Sequence, residues 1–374
     1  MELVVRKNDL LRELQLFQGI VERKNTIPIL ANVLMEAKGD EVRFLATDLE
    51  VGLRSKCAAA VAKGGALTLP AKKFYEIVRS LPETDIRIAE DKGGVKVAAD
   101  RFDSRMQTLP REDFPTLPET GGTSGAPRAT LSRAAVKEMV AKTAFAITGE
   151  DTRYFLNGAL FVLRPNEMSL VATDGHRLAL VTVARDGAAT TDAADEVKAI
   201  LPKKTLGELS RLLQEGDADI QYERGENHLF FDVGGRLLIS RMIDGQFPAY
   251  ERVIPKGNDK KIEFERDRLT SAVKRVALLS NERSRAVKFQ VENGKVDVTS
   301  SSPDLGEAKE TIPVEFSGSP LQICFNAQYV LDFLSAVSTD VVSLELKDEV
   351  SQAVMKPVGA EGYDYTYVIM PMRV

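Results

Sequence analysis

An α+β fold built from three tandem copies of one unit is what this sequence predicts, because three markers recur along it in the same order. The first is an alternating strand that ends in an Asp turn. Glu41-Val-Arg-Phe-Leu-Ala-Thr-Asp48 returns as Glu167-Met-Ser-Leu-Val-Ala-Thr-Asp174 and, more faintly, as Lys295-Val-Asp-Val-Thr-Ser-Ser-Ser-Pro-Asp304. The second is a short helix with apolar residues at steps of three and four, within 69–81, 201–213 and 325–334. The third closes a unit: Arg105-Met-Gln-Thr-Leu-Pro-Arg-Glu-Asp-Phe-Pro115 parallels Arg241-Met-Ile-Asp-Gly-Gln-Phe-Pro248, and the last unit ends in Tyr367-Val-Ile-Met-Pro-Met-Arg-Val374. Self-similarity at long period decides the architecture before any local signal does.

The elements follow in order within each unit. An amphipathic helix opens it, at 8–22, 132–146 and 266–280. Alternating strands come next, then the marker helix, then hairpins such as Ile86-Arg-Ile-Ala-Glu-Asp-Lys-Gly-Gly-Val-Lys-Val97 and Ile220-Gln-Tyr-Glu-Arg-Gly-Glu-Asn-His-Leu-Phe-Phe231. Linkers fall where the repeat requires them: Pro118-Glu-Thr-Gly-Gly-Thr-Ser-Gly-Ala-Pro127 is rich in Gly, Ser and Pro, and Pro255-Lys-Gly-Asn-Asp-Lys260 is a shorter version. The units therefore span 1–120, 129–252 and 258–374. Three alike domains in a row make head-to-tail contacts, which close into a ring or continue as a filament.

Composition supports packed domains. The chain has 374 residues, 44% of them hydrophobic and 28% charged, enough to bury a core in each unit. A formal net charge of −5 excludes a uniform coat of nucleic acid but not a local basic surface. Cys57 and Cys324 stand far apart without metal or disulfide spacing, which points to reduced thiols. Charges interrupt every apolar stretch of the N-terminus, and no apolar run reaches membrane length. A soluble, cytoplasmic protein without metal or cofactor is the expectation.

Positive charge gathers on the helices. The marker helices carry Lys72, Lys73 and Arg79, then Lys203, Lys204 and Arg211. The opening helices carry Arg6, Lys7 and Arg12, then Arg133, Lys137 and Lys142, then Arg266, Arg268, Lys274 and Arg275; loops add Arg23, Lys24, Arg283 and Arg285. Acids gather in strands and turns, for example 85–91 and 340–349. Helices on one side and sheets on the other would give a positive and a negative face. A positive face binds phosphate without reading bases.

An enzyme is the rival class, with Thr173-Asp174-Gly175-His176-Arg177 its best foothold. The first unit carries Thr47-Asp48-Leu49-Glu50 in the same place, so the Asp belongs to the repeat, where it caps a turn. The other histidine, His228, has no ligand pattern around it. The chain lacks a phosphate loop and a Gly-x-Ser-x-Gly elbow. A scaffold of repeated domains without DNA is the third class, against which the charged helices speak.

Taken in order, Thr26-Ile-Pro-Ile-Leu30, Arg153-Tyr-Phe-Leu-Asn-Gly158, Ala172-Thr-Asp-Gly-His-Arg-Leu-Ala179, Asp244-Gly-Gln-Phe-Pro248, Phe325-Asn-Ala-Gln-Tyr-Val-Leu-Asp332 and Tyr367-Val-Ile-Met-Pro-Met-Arg373 resemble the bacterial sliding-clamp family, the beta subunit of DNA polymerase III. The resemblance covers the whole chain. It implies three clamp-type domains per subunit and a head-to-tail homodimeric ring, helices lining the inside and antiparallel sheets outside. Such a ring encircles duplex DNA and is opened by a separate ATP-driven loader.

It further implies that the polymerase catalytic subunit, the loader and other clamp-motif proteins dock in a pocket between the second and third domains. Here that pocket would be Leu156, Thr173, Gly175, His176, Arg177, Leu178, Pro248, Arg252 and Val253, with Asn326, Tyr329, Val350, Val368, Met370, Pro371, Met372 and Arg373. The set is mostly apolar with a few directional polar groups, as a peptide anchor requires. Its methionines give a deformable surface suited to several partners. The family's DNA-contacting loop positions match Lys24, Glu150, Tyr154 and Phe155, with Glu150 in place of an amide and Phe155 in place of a tyrosine. Together with the helix cations, the expected DNA-facing residues are Arg23, Lys24, Lys72, Lys73, Arg79, Lys137, Tyr154, Lys203, Lys204 and Arg275. The subunit interface would set Met106 against Leu278 and Leu279, with Ser104 where the family has an aromatic residue.

Overall fold

The computed structural model describes residues 1–21, 26–122, 126–149, 151–185 and 196–373. The first copy of the repeat runs β1 (Glu2–Arg6), α1 (Lys7–Phe17), β2 (Asn32–Lys38), β3 (Glu41–Thr47), β4 (Val51–Ala58), β5 (Ala60–Lys63), β6 (Gly65–Pro70), α2 (Ala71–Ser80), β7 (Asp85–Asp91), β8 (Gly94–Ala99) and β9 (Phe102–Met106). The second runs β10 (Arg128–Leu131), α3 (Arg133–Thr143), β11 (Gly158–Leu163), β12 (Glu167–Thr173), β13 (Arg177–Ala184), β14 (Val197–Pro202), α4 (Lys203–Leu212), β15 (Ile220–Arg224), β16 (His228–Val233) and β17 (Arg236–Arg241). The third runs β18 (Lys260–Glu265), α5 (Arg266–Ala277), β19 (Ala286–Glu292), β20 (Lys295–Ser302), β21 (Gly306–Pro313), β22 (Leu321–Asn326), α6 (Ala327–Ala336), β23 (Val341–Leu346), β24 (Ala353–Val358) and β25 (Asp364–Ile369). Among the described residues, and apart from β5, the order of elements is the same three times.

The chain forms two compact units. One holds the first copy with β10 and β15 to β17; the other holds β11 to β14 with the third copy. In the first unit, β17 pairs antiparallel with β4, so strands of two copies make one eight-stranded sheet, β10-β15-β16-β17-β4-β3-β2-β6. In the second, β13 pairs with β25 in the sheet β14-β11-β12-β13-β25-β24-β23-β18. Each join satisfies two rows of backbone groups that would otherwise be sheet edges. The remaining sheets are β5-β1-β7-β8-β9 in the first unit and β21-β20-β19-β22 in the second, which leaves β9 and β21 as edge strands.

Helices bury the stripes that their sequences mark. Leu10, Leu14 and Phe17 of α1 are buried, as are Leu269, Ala272, Val273 and Val276 of α5. α1 packs on α2 in one unit, and α5 on α6 in the other. The opening helices end earlier than periodicity predicts, at Phe17, Thr143 and Ala277. Their last turns tighten instead: Ile20 N–H donates to Phe17 C=O, Ser280 N–H to Ala277 C=O, and Ala144–Ala146 is a 3₁₀ turn. Tightening satisfies carbonyls that would otherwise lack a donor.

Two helix cations expected on the surface, Arg133 and Lys142, point inward, and a third, Arg266, is half-buried. Arg133 is buried and donates to the Leu212 carbonyl at 3.2 Å, at the negative end of α4. Arg266 does the same for Val337, just past α6, at 2.9 Å. Lys142 is only 2% exposed. Its ammonium donates to Ala336 C=O at 2.9 Å, pairs with Glu138 at 2.7 Å and lies 4.6 Å from the Tyr363 ring centre. The positive helix surface is smaller than the sequence count by Arg133 and Lys142. Cys57 and Cys324 are buried free thiols. Among the described residues, no helix is long and apolar enough to cross a membrane.

Candidate functional site

In the second unit, a cavity of about 260 Å³ opens beside the start of β13. Its geometry begins with the turn between β12 and β13. Thr173 Oγ1 donates to Arg177 C=O at 2.6 Å and accepts from Gly175 N–H at 3.1 Å. Asp174 Oδ1 accepts from the N–H groups of His176 and Arg177 at 2.9 and 3.0 Å. Gly175 has φ +86°, a left-handed conformation that glycine adopts without a Cβ penalty. A Cβ there would also lie 3.2 Å from the Arg153 guanidinium.

The first copy makes the same turn. Thr47 Oγ1 donates to Val51 C=O at 3.0 Å, and Asp48 Oδ1 accepts from Glu50 and Val51 N–H at 2.9 and 2.7 Å. Both aspartates are therefore structural caps. Asp174 also holds Arg177 Nε at 3.0 Å, and exposed His176 lies against Tyr329 with 6.5 Å between ring centres. Neither arrangement is that of an acid–base pair.

Residues 148–149 and 151–157 form the facing wall. Asn157 organises it: its Oδ1 accepts from Thr148 Oγ1 at 2.7 Å and from Asp151 N–H at 3.0 Å. Asp151 in turn receives Arg153 through Nε at 3.0 Å and Nη2 at 2.7 Å. That hydrogen-bonded guanidinium holds the Asp151 carboxyl down at about 2. Gly158 must lack a side chain, since a Cβ would lie 2.4 Å from Leu201 C=O. The Arg153-to-Gly158 motif is thus a 3₁₀ turn at Tyr154–Leu156 that leads into β11, and the bonds around it fix Arg153, Phe155 and Leu156 at the cavity.

The third wall comes from the turn after β17 and from β25. β25 pairs Val368 with Leu178 and Ile369 with Arg177, and Met370 N–H donates to His176 C=O at 2.9 Å. Beneath lies a packed cluster of Leu160, Val171, Leu178, Phe247, Tyr250 and Val368. Of the pocket residues implied by resemblance, Leu156, Thr173, Gly175, Arg177, Leu178, Pro248, Val253, Val368 and Met370 line the cavity. His176, Arg252, Asn326, Tyr329, Val350, Pro371, Met372 and Arg373 are not in its lining. Asn326 caps α6 by accepting from Gln328 N–H, Tyr329 lies under the Arg177 guanidinium, and Val350 is 62% exposed. Met372 N–H donates to Cys324 C=O. Arg153, Phe155 and Tyr250 line the cavity as well. Arg153 and Phe155 sit in the quoted motif and Tyr250 follows Phe247-Pro248, the signals that could have found them.

The expected DNA-facing residues are varied in setting. Arg23, Lys24 and Glu150 lie outside the described residues. Lys73 pairs with Glu76, Arg79 lies over Tyr75 at 5.4 Å, Lys72 is half-buried and Lys137 is exposed. Lys203 donates to Ile147 C=O at 3.1 Å, and Arg275 pairs with both oxygens of Glu310. Lys204 is engaged within the first unit, paired with Asp48 and donating to Ile20 C=O. Tyr154 is 55% exposed, and its hydroxyl lies 3.2 Å from where a Gly245 Cβ would stand, on the loop that carries Pro248. Of the interface candidates, Met106 is buried on edge strand β9, Leu279 is half-buried and Leu278 is 74% exposed.

Comparison with known proteins places this architecture. Residues 1–118, 130–249 and 251–373 match the families described as DNA polymerase III beta subunit N-terminal, central and C-terminal domain. The chain is 37% identical to a Beta sliding clamp of Pseudomonas putida and 35% identical to one of Escherichia coli, in each case over 100% of both chains. It is also similar to the crystal structure of a DNA polymerase sliding clamp from Pseudomonas aeruginosa, with a TM-score of 0.91, 35% identity and 100% of both chains covered.

Proposed function

The chain belongs to the family of DNA polymerase III beta subunits, the beta sliding clamps, and on that premise we propose how it works. It is a processivity factor, an accessory subunit rather than a catalytic one. Two copies join head to tail and close around duplex DNA. The ring holds DNA by topology and by helix cations that meet phosphates without reading sequence, so it slides. The polymerase catalytic subunit, the clamp loader and other proteins carrying a short apolar motif dock in the cavity beside Leu178.

One observation carries the closure. The β4–β17 and β13–β25 joins are two instances of the same contact: Val51 lies opposite Ser240 as Arg177 lies opposite Ile369. In the third copy β21 holds the place of β4 and β13, and in the first copy β9 holds the place of β17 and β25. Both are edges in a single chain. Pairing β21 of one copy with β9 of the next repeats the contact a third time, and exposed Leu278 then gains cover. Light scattering tests this: a dimer mass at micromolar concentration agrees with the proposal, and a strict monomer contradicts it.

A further inference from the structure

We infer that one strand position, Leu178 in the second copy and Gly52 in the first, decides which junction of the chain holds a partner pocket, and that Leu117 closes the other. The inference rests on reading the cavity beside Leu178 as the partner site.

The two joins match residue by residue. Gly52 lies opposite Ile239 as Leu178 lies opposite Val368. The turns before them match bond by bond, from Thr47 to Val51 and from Thr173 to Arg177. Phe114-Pro115 returns as Phe247-Pro248 with both phenylalanines buried, which sets Leu117 in the place of Tyr250. Leu30 likewise stands for Leu156, both buried. The walls of the cavity thus all have counterparts in the first unit.

What differs is the residue under them. Leu178 packs with Phe247, Tyr250 and Val368 in one cluster. Its side chain lines the free volume together with Pro248, Tyr250 and Val368. Gly52 has nothing to stand there. Leu117 comes down onto the bare strand, its Cδ1 only 2.5 Å from where a Cβ on residue 52 would sit. It is 9% exposed and packs with Phe230 and Ile239. In one junction a strand leucine stands beside open volume; in the other a linker leucine covers the bare strand, and the cavity of about 420 Å³ that has Leu117 in its wall runs past Leu45 and Arg54, with neither Gly52 nor Ile239 in its lining. Apolar space already filled by the chain's own side chain offers a partner no burial to gain. Each chain then takes one partner segment, although its architecture repeats the junction.

Two arms test this. In crystals of Leu117→Ala under xenon pressure, a xenon site should appear over Gly52 that the wild-type chain lacks, since an apolar void stays dry and takes such a probe. Collapse of the linker without a xenon site, or xenon in the wild type, overturns the role of Leu117. The second arm uses a peptide selected from a random library on the wild-type chain and required to lose binding when residues 370–373 are removed. Leu178→Gly should weaken that peptide roughly tenfold or more with dimer mass and circular dichroism unchanged. Leu178→Met, which conserves volume, should keep binding. Full affinity in Leu178→Gly overturns the role of Leu178. Failure to select any tail-dependent peptide counts against the partner-site reading instead, while the xenon arm still decides whether Leu117 is the plug.

Discussion

The Arg177 guanidinium lies 4.4 Å from the ring centre of Tyr329 and joins two carboxylates, Asp174 on its own turn and Asp332 on α6. Its Nη2 also donates to Phe145 C=O at 2.8 Å. One side chain therefore ties the turn beside the cavity to the helix of the next copy. Only 9% of it is exposed. Removing one partner of a buried pair leaves uncompensated charge, so Arg177→Leu should cost about 3 kcal/mol in urea unfolding. Adding Asp332→Asn should recover part of the loss. A loss below about 1 kcal/mol, the size of a surface pair, would show that Arg177 is not the tie.

The C-terminal tail gives a second prediction. Met370 lines the cavity and its N–H is held by His176 C=O. Deleting residues 370–373 should abolish binding of a partner segment and leave the dimer mass and circular dichroism unchanged. Undiminished affinity for the polymerase catalytic subunit would remove the cavity from the account.

Charge on the helices gives a third. Lys73, Lys137 and Lys203 are exposed. Reversing them to Glu should shorten retention on DNA. It should also flatten the dependence of the logarithm of affinity on the logarithm of salt by about 0.9 per lost phosphate contact. An unchanged salt slope would mean that these helices do not meet phosphate.

The buried Glu208 gives a fourth. Burial raises its carboxyl above the ordinary value of 4.5, against the pull of Arg211. A raised carboxylate contributes stability that is complete below 4.5 and is lost as pH climbs from there through its folded value. Glu208→Gln removes that loss, so its urea midpoint should change less than the wild type's between pH 4.5 and about pH 7. Equal changes in both proteins would contradict the sign.

The fold was legible because its signals are local and repeated. Alternation gave Glu41–Thr47 and Glu167–Thr173 as strands, and recurrence gave the order of elements. The Asp174 turn was readable because Asp48 repeats it. Other features were not local. Nothing along the chain says that β13 pairs with β25, and that join brings Tyr250 and Arg153 to one cavity with Val368. Arg133 and Lys142 read as surface charge because helical spacing does not reveal an acceptor far along the chain; theirs are carbonyls of Leu212 and Ala336. Gly52 carries no local mark of the Leu117 side chain that lies on it, because the two are brought together only by the fold.

Retention on closed circular DNA against the same DNA after one double-strand cut tests the central claim most directly. After loading, a ring made from two of these chains should stay on the intact circle through gel filtration at high salt and run off once the circle is cut. Equal loss from circle and cut DNA, or equal retention on both, would contradict encirclement and leave an ordinary DNA-binding protein in its place.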